Sequence, residues 1–210
     1  MKKLFFILLF IPLVLYCQTD SEFKLQNSMS VEWGKNCINE IDCFYLNIDS
    51  ALIFDNDDYD YYYYTIYYSY GNESKQVIDS ANRNDLGYDL TLYSFKSQRD
   101  NSYVVFFEFE YEHFSSFIVS YIRERKLMRI GEWIIYSPCD TCDRASYNIE
   151  NIHLYQKKDE IEFSSLKDVE FLDYRNNKYH WESNDWVSFQ AGELIVSFNI
   201  VDGTVKKVEK

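Results

Sequence analysis

Apolar and polar residues alternate with a period of two along much of the chain. The alternation is clearest in four segments rich in Tyr, Phe, Val and Ile, which are residues 88–95, 103–114, 116–122 and 126–136. A period of two places successive side chains on opposite faces of a strand, and these residue types have high β-propensity. Each segment is therefore predicted to be a β-strand.

The connections between these predicted strands are short. Residues 116–122 and 126–136 flank a charged turn, and 193–200 and 204–208 flank Asp202-Gly203, a dipeptide that supplies the positive φ angles of a tight hairpin. Parallel strands would need crossover helices, for which the sequence gives no signal. The predicted fold class is therefore mainly β, an antiparallel sheet (sandwich or curved sheet/open barrel) with one or two short helices.

Helical spacing is confined to short stretches. Val77, Ile78 and Ala81 recur at helical intervals after Ser74, a suitable N-cap, and predict one short helix. Residues 164–169 predict one turn of another. No composition break or internal repeat divides the region that follows, so we predict a flexible polar tether at 18–30 and a single β-rich domain at 31–210.

The N-terminal segment is typical of an export signal. Lys2 and Lys3 precede the apolar run 4–16, which is too short to cross a bilayer as a helix. We therefore predict a signal peptide at 1–17. Cys17 directly after the run resembles the lipobox of bacterial lipoproteins, whose cysteine carries the acyl chains, although Tyr16 stands where that motif has a small residue.

The alternative to lipidation is ordinary cleavage after Cys17. Both alternatives predict an exported protein, located in the periplasm, at the outer membrane as a lipoprotein, or outside the cell. A membrane would be contacted only through a lipid anchor on Cys17.

The remaining cysteines are Cys37, Cys43, Cys139 and Cys142. An even number in an oxidising compartment predicts two disulfides, whose connectivity the sequence leaves open. Pairing of 37/43 with 139/142 would close long loops, whereas local pairing would restrain little. A redox C-x-x-C motif is disfavoured by the aspartates that flank it, and the spacing is loose for a zinc site.

Charge narrows the classes of partner. The chain has 21 Lys and Arg against 34 Asp and Glu, which gives a formal net charge of −13 at pH 7. Because nucleic-acid binding needs a basic surface, no nucleic-acid partner is predicted. An acidic surface steers cationic partners, as in an acidic inhibitor or immunity-type protein that blocks a basic enzyme.

No cofactor is predicted, and no metal either, because the histidines lack metal-ligand spacing and the acidic run 55–60 lacks the glycine and glutamate of an EF-hand.

The segment 108–112 is a candidate for catalysis. On a strand, Glu108, Glu110 and Glu112 share one face, with neighbours about 6–7 Å apart. This string loosely resembles the E-x-D-x-E catalytic strand of the β-sandwich laminarinases and lichenases, although Glu110 replaces the central Asp. The resemblance implies a small glycoside hydrolase with Glu108 and Glu112 as nucleophile and acid/base. The alternative is the water-facing side of an amphipathic strand.

The tyrosine-rich segment 59–70 is the candidate for binding. Period two places Tyr62, Tyr64, Ile66, Tyr68 and Tyr70 on the core face. The opposite face then presents a row of amphipathic rings that can stack on a sugar or anchor a protein. The candidate ligand-binding residues are Tyr59, Tyr61, Tyr63 and Tyr67. With no recognisable catalytic motif, the sequence predicts an exported or envelope-associated, non-enzymatic binding module for a protein or glycan.

Overall fold

The computed structural model describes residues 20–31, 34–49, 62–71, 75–83, 89–110, 115–137, 145–173 and 186–208. These residues form strands joined by turns, with one 3₁₀ turn at Ile149–Asn151. In chain order the strands are β1 (Ser21–Ser30), β2 (Gly34–Cys37), β3 (Asp42–Asp49), β4 (Tyr62–Tyr70), β5 (Gln76–Arg83), β6 (Asp89–Ser97), β7 (Tyr103–Glu110), β8 (Ser115–Arg123), β9 (Lys126–Ser137), β10 (Ala145–Ser146), β11 (Ile152–Lys157), β12 (Glu160–Ser165), β13 (Val169–Asp173), β14 (Val187–Phe189), β15 (Leu194–Asn199) and β16 (Val205–Lys207).

The strands form two antiparallel sheets. The larger is 12-stranded, in the order β14-β13-β9-β8-β7-β6-β1-β11-β12-β15-β16, with β10 paired to β9. The smaller has the order β2-β3-β4-β5. The prediction of a mainly β, antiparallel fold is confirmed. Within the described ranges no helix is long and apolar enough to cross a membrane.

The larger sheet curls until its two halves face each other. The Trp133 ring of β9 lies 4.9 Å from the Phe163 ring of β12, although β9 and β12 are well separated in the strand order. Both belong to a buried apolar cluster that fills the concave interior of the curled sheet. A space of about 10 Å³ lies within it, between side chains such as Val104, Ile161 and Val196. Among the residues that the structure describes, this part of the interior is therefore a closely packed core.

The smaller sheet covers the convex face of the larger one. Phe44 of β3 contacts Phe107 of β7 at 5.0 Å in an edge-to-face geometry. A second buried cluster joins Ile66 and Tyr68 of the smaller sheet to Val105 and Phe107 of the larger. Strand β7 is consequently buried on both faces, which explains why its sequence is almost continuously apolar.

Two predicted segments differ from the structure. The tether prediction was wrong for residues 21–30, which form β1 and pair with both β6 and β11 in the middle of the larger sheet. The helix predicted around Val77–Ala81 was wrong too, because these residues lie in β5. There Ile78 is buried while Val77 is exposed, as expected for neighbours on a strand.

The predicted turns are mostly retained. Strands β8 and β9 form a hairpin closed by Glu124 and Arg125, and β15 and β16 form the C-terminal hairpin. The prediction gave positive φ angles to both Asp202 and Gly203, but in this hairpin only Gly203 has one. Asp202 instead stabilises the turn through its carboxylate, which accepts a hydrogen bond from the Thr204 N–H. The region predicted as a second helical turn contains the end of β12 and the start of β13.

Candidate functional site

The outer face of the smaller sheet carries half-buried aromatic side chains and an exposed apolar one. Strand register aligns Lys35 with Tyr45, Tyr45 with Tyr67, and Tyr67 with Val77 across the four strands. Both tyrosines are half-buried, and Val77 is 55% exposed. We call the surface formed by Tyr45, Tyr67 and Val77 the tyrosine face.

A lysine already lies on this surface. The Lys75 ammonium is 3.9 Å from the centre of the Tyr45 ring and 5.7 Å from that of Tyr67. An ammonium over a phenol ring is attracted by the negative electrostatic potential of the ring face. The tyrosine face therefore combines two aromatic rings with a local positive charge in an otherwise acidic protein.

The structure describes only part of the predicted tyrosine row. Tyr67 lies on the outer face as expected, while Ile66 and Tyr68 are buried beneath it. Tyr63 belongs to β4, although its side chain is outside the described residues, as are Tyr59 and Tyr61 altogether. Tyr45 was not among the predicted binding residues. Its position between Phe44 and Leu46, both of which are buried, follows the alternation that places a side chain on the outer face of a strand.

A disulfide joins the first two strands of the smaller sheet. Cys37 and Cys43 are directly opposite in the β2–β3 register and are bonded, with Cα atoms 4.0 Å apart. The pairing is thus local, which decides for these two cysteines the connectivity that the sequence left open. Cys139 and Cys142 lie outside the described residues, and so does Cys17.

Replacing both Cys37 and Cys43 with serine is expected to lower the free energy of unfolding by about 2 kcal/mol, because the short loop would gain entropy in the unfolded chain. Urea denaturation followed by circular dichroism measures the loss. The alanine pair provides the control, since it removes the same bond without placing hydroxyls at the sites. Equal stability of wild type and both variants would contradict the prediction.

A pocket of about 700 Å³ opens where the two sheets diverge. Its rim is formed by the β2–β3, β6–β7 and β8–β9 turns, and its walls include the aromatic side chains of Tyr70 and Tyr103. We call this cavity the loop-end pocket. No signal in the sequence identified it, because its lining comes from turns that are distant along the chain.

The lining of the loop-end pocket includes a buried carboxylate, Asp42, which is 7% exposed. The Tyr68 hydroxyl donates to Asp42 Oδ1, and Asn39 Nδ2 donates to Asp42 Oδ2 at 2.7 Å. Asn39 Oδ1 in turn accepts the N–H groups of Ile41 and Asp42, which fixes the turn. The carboxylate is therefore held in one orientation by hydrogen bonds and burial.

The rim of the loop-end pocket contains charges of both signs. Arg123 Nε lies 3.3 Å from Glu124 Oε1. Burial lowers the pKa of the Arg123 guanidinium, but Tyr121, Asp100 and Glu124 raise it, and the net shift is upward. Asp100 Oδ1 accepts hydrogen bonds from the Ser102 N–H and hydroxyl. Glutamate and aspartate therefore set the local field around this arginine.

An arginine side chain of the protein packs against an aromatic wall of the loop-end pocket. The Arg125 guanidinium lies 4.7 Å from the centre of the Tyr70 ring. Glu124 and Arg125 hold φ angles of 50° and 69°, a left-handed conformation that non-glycine residues adopt rarely. The β8–β9 hairpin thus presents Arg125 to Tyr70 through a turn that would favour Asn-Gly.

Glu108 is buried rather than water-facing. It is 7% exposed and lies on the same face of β7 as Phe106, opposite Phe117 of β8. The interpretation of an amphipathic strand with a solvated glutamate face was therefore wrong at this position. Glu112 lies outside the described residues, so the proposed catalytic pair has no measured separation.

Metal-ligating side chains do not cluster in the described part of the chain. No group of three or more His, Cys, Asp or Glu residues there is placed to hold a metal ion. His153, the one histidine within the described ranges, stacks on Tyr155 and lies 3.7 Å from Glu22. It has the position of a surface residue on β11.

No protein-family model, curated protein or solved structure matches the chain. The two surfaces described above are therefore the basis for assigning a function.

Proposed function

We propose that this protein is an exported, non-enzymatic binding protein and that the tyrosine face is its ligand surface. The ligand is a protein or a glycan. The observation that carries the proposal is the pairing of Tyr45 with Tyr67 beside exposed Val77 on one sheet face.

Tyrosine is well suited to such a surface. Its ring offers a large contact area with few rotatable bonds, so little conformational entropy is lost on binding. Tyr45 and Tyr67 also stand on adjacent strands of a sheet whose other face is packed against the core, which fixes the positions of their backbones. A flat, rigid pair of rings can stack on a sugar ring or anchor a partner side chain.

Two further observations support the proposal. The Cys37–Cys43 disulfide is compatible with an oxidising compartment, as expected for an exported protein. Burial of Glu108 beside Phe117 supports a non-enzymatic role, because a catalytic carboxylate needs a cleft that admits substrate.

Replacing both Tyr45 and Tyr67 with alanine is expected to weaken ligand capture at least roughly tenfold, because aromatic anchors dominate such interfaces. Glycan arrays and pull-downs would find the ligand, and calorimetry with the purified ligand would measure the affinity. Neither ring is fully buried, so the variant should retain its fold, which circular dichroism checks.

Tyr155→Ala is the matched control, since Tyr155 is also half-buried but lies on β11 of the larger sheet. It should bind as wild type does. Equal capture by the double variant and by wild type would reject the tyrosine face as the ligand surface.

A further inference from the structure

The loop-end pocket is distinct from the tyrosine face. Asp42 and Tyr70 have the strand parity of buried Phe44 and Tyr68, whereas Tyr45 and Tyr67 have the opposite parity. The pocket therefore opens between the two sheets at one end, and the tyrosine face lies on the outer surface. A ligand of one need not contact the other.

The pocket has the dimensions and the lining of a ligand site. Its volume of about 700 Å³ falls within the range of roughly 300–1,000 Å³ that is usual for small-molecule pockets. Tyr70, Tyr103 and Ile122 supply aromatic and apolar wall, and Tyr103 and Ile122 belong to the buried cluster between the sheets. The walls are therefore anchored to packed structure, while the rim consists of turns.

The charges favour a positively charged ligand. The lining carboxylates are Glu40, Asp42, Asp100 and Glu124, against the two arginines Arg123 and Arg125. One of these arginines is held by Glu124 at 3.3 Å. The protein as a whole carries −13, so its long-range field attracts cations.

A contact within the protein indicates which kind of cation suits these walls. The Arg125 guanidinium is placed 4.7 Å from the centre of the Tyr70 ring, so an aromatic wall of this pocket already binds a planar cation. Guanidinium groups combine stacking on aromatic rings with paired hydrogen bonds to carboxylates. The pocket offers both chemistries, with the Asp42 and Asp100 carboxylates held in place by their own hydrogen bonds.

We infer that the loop-end pocket binds an alkylguanidinium, supplied either by an arginine side chain of a protein partner or by a free small molecule. The cation enters between the Tyr70 and Tyr103 walls, and the pocket carboxylates balance its charge. Arg125 competes with it for the Tyr70 ring. The inference stands independently of the tyrosine face.

The test is a titration of the full chain with two probes, agmatine and the peptide acetyl-Gly-Arg-Gly-amide, followed by NMR of the backbone amides. Shifts confined to residues at the pocket, such as Asn39 and Ser102, are expected. The citrulline peptide, which is neutral and nearly isosteric, should bind at least roughly tenfold more weakly. Binding of agmatine supports a free ligand, and binding of the peptide alone supports a partner side chain.

Two variants should change the affinity in opposite directions. Asp100→Asn keeps an oxygen for the Ser102 donors but removes the charge, and should weaken binding roughly threefold to tenfold. Arg125→Gly uncovers the Tyr70 ring and should tighten binding. It should also fold well, because glycine suits the φ of 69° at this position.

Asp168→Asn is the matched control, since Asp168 also accepts a backbone N–H, from Ala191, outside the pocket. Its affinity should equal that of wild type. The inference is overturned if no pocket amide shifts, if the citrulline peptide binds as well as the arginine peptide, if Asp168→Asn weakens binding as much as Asp100→Asn, or if Arg125→Gly binds more weakly.

Discussion

Trp133→Ala is expected to lower the free energy of unfolding by about 3–5 kcal/mol, a large fraction of the stability of a typical domain. The Trp133 side chain is 1% exposed and lies within 6.1 Å of the Phe106 ring, 4.9 Å of Phe163 and 5.7 Å of Phe171. These rings come from both halves of the curled sheet. Removing the indole would leave a cavity at the point where the halves meet.

Denaturant unfolding measured by circular dichroism would give the loss. Trp186→Ala is the control, because Trp186 is only half-buried and packs against Tyr136 at the edge of the sheet. The free energy of unfolding should fall less than half as much in Trp186→Ala as in Trp133→Ala. Equal losses would mean that Trp133 does not join the two halves as described.

Gly131→Ala is expected to lower the free energy of unfolding by roughly 2–3 kcal/mol through overpacking. A Cβ atom at Gly131 would overlap Nε1 of the Trp133 indole and would lie 3.0 Å from its Cε2. The indole is enclosed by other rings and has little space to withdraw. The sign of the effect is diagnostic, because alanine normally stabilises a strand relative to glycine by about 0.5–1 kcal/mol.

The matched test is the same substitution in a Trp133→Leu background. Leucine lacks the indole atoms that the new methyl group meets, so the penalty of Gly131→Ala should largely disappear there. Unfolding free energies of the four proteins form a double-mutant cycle. An unchanged penalty in the leucine background would show that the loss has another origin, such as the backbone of β9.

Most strands could be predicted because β-propensity and short turns are local properties. Residues 116–122 and 126–136 lie within β8 and β9, and 88–95 overlaps β6. In β9, however, the side chains do not follow a simple alternation. Ile130 is an extra residue opposite the Val119/Ser120 step, so Ile130 and Trp133 both reach the concave core. Such a bulge shifts the face of every later side chain.

Two failed predictions have a common physical cause. Residues 21–30 are polar enough for a tether, and Val77–Ala81 fit a helical period, yet both segments become strands because neighbouring strands provide hydrogen-bond partners. The interpretation of Glu108 as a water-facing residue was wrong for a similar reason. Its burial depends on a curl of the sheet that places Phe106 and Glu108 on the enclosed side, and this curl has no local signal.

The candidate sites also differ in whether a local pattern could identify their residues. Tyr67 could be assigned to the outer face from the alternation with Ile66 and Tyr68, since a single strand sets that pattern. Its partner Tyr45 and the loop-end pocket required strand register and the meeting of three turns.

The amino-acid sequence by itself determined that the chain forms antiparallel strands, that it is acidic, and where several of its hairpins turn. These are consequences of residue type and short-range spacing. Only the tertiary structure decided that one sheet curls around a packed core while a second sheet covers its convex face. It also paired Cys37 with Cys43 and assembled Asp42, Tyr70 and Asp100 at one end. Those outcomes depend on contacts between residues far apart in the chain, whose energies no local pattern encodes.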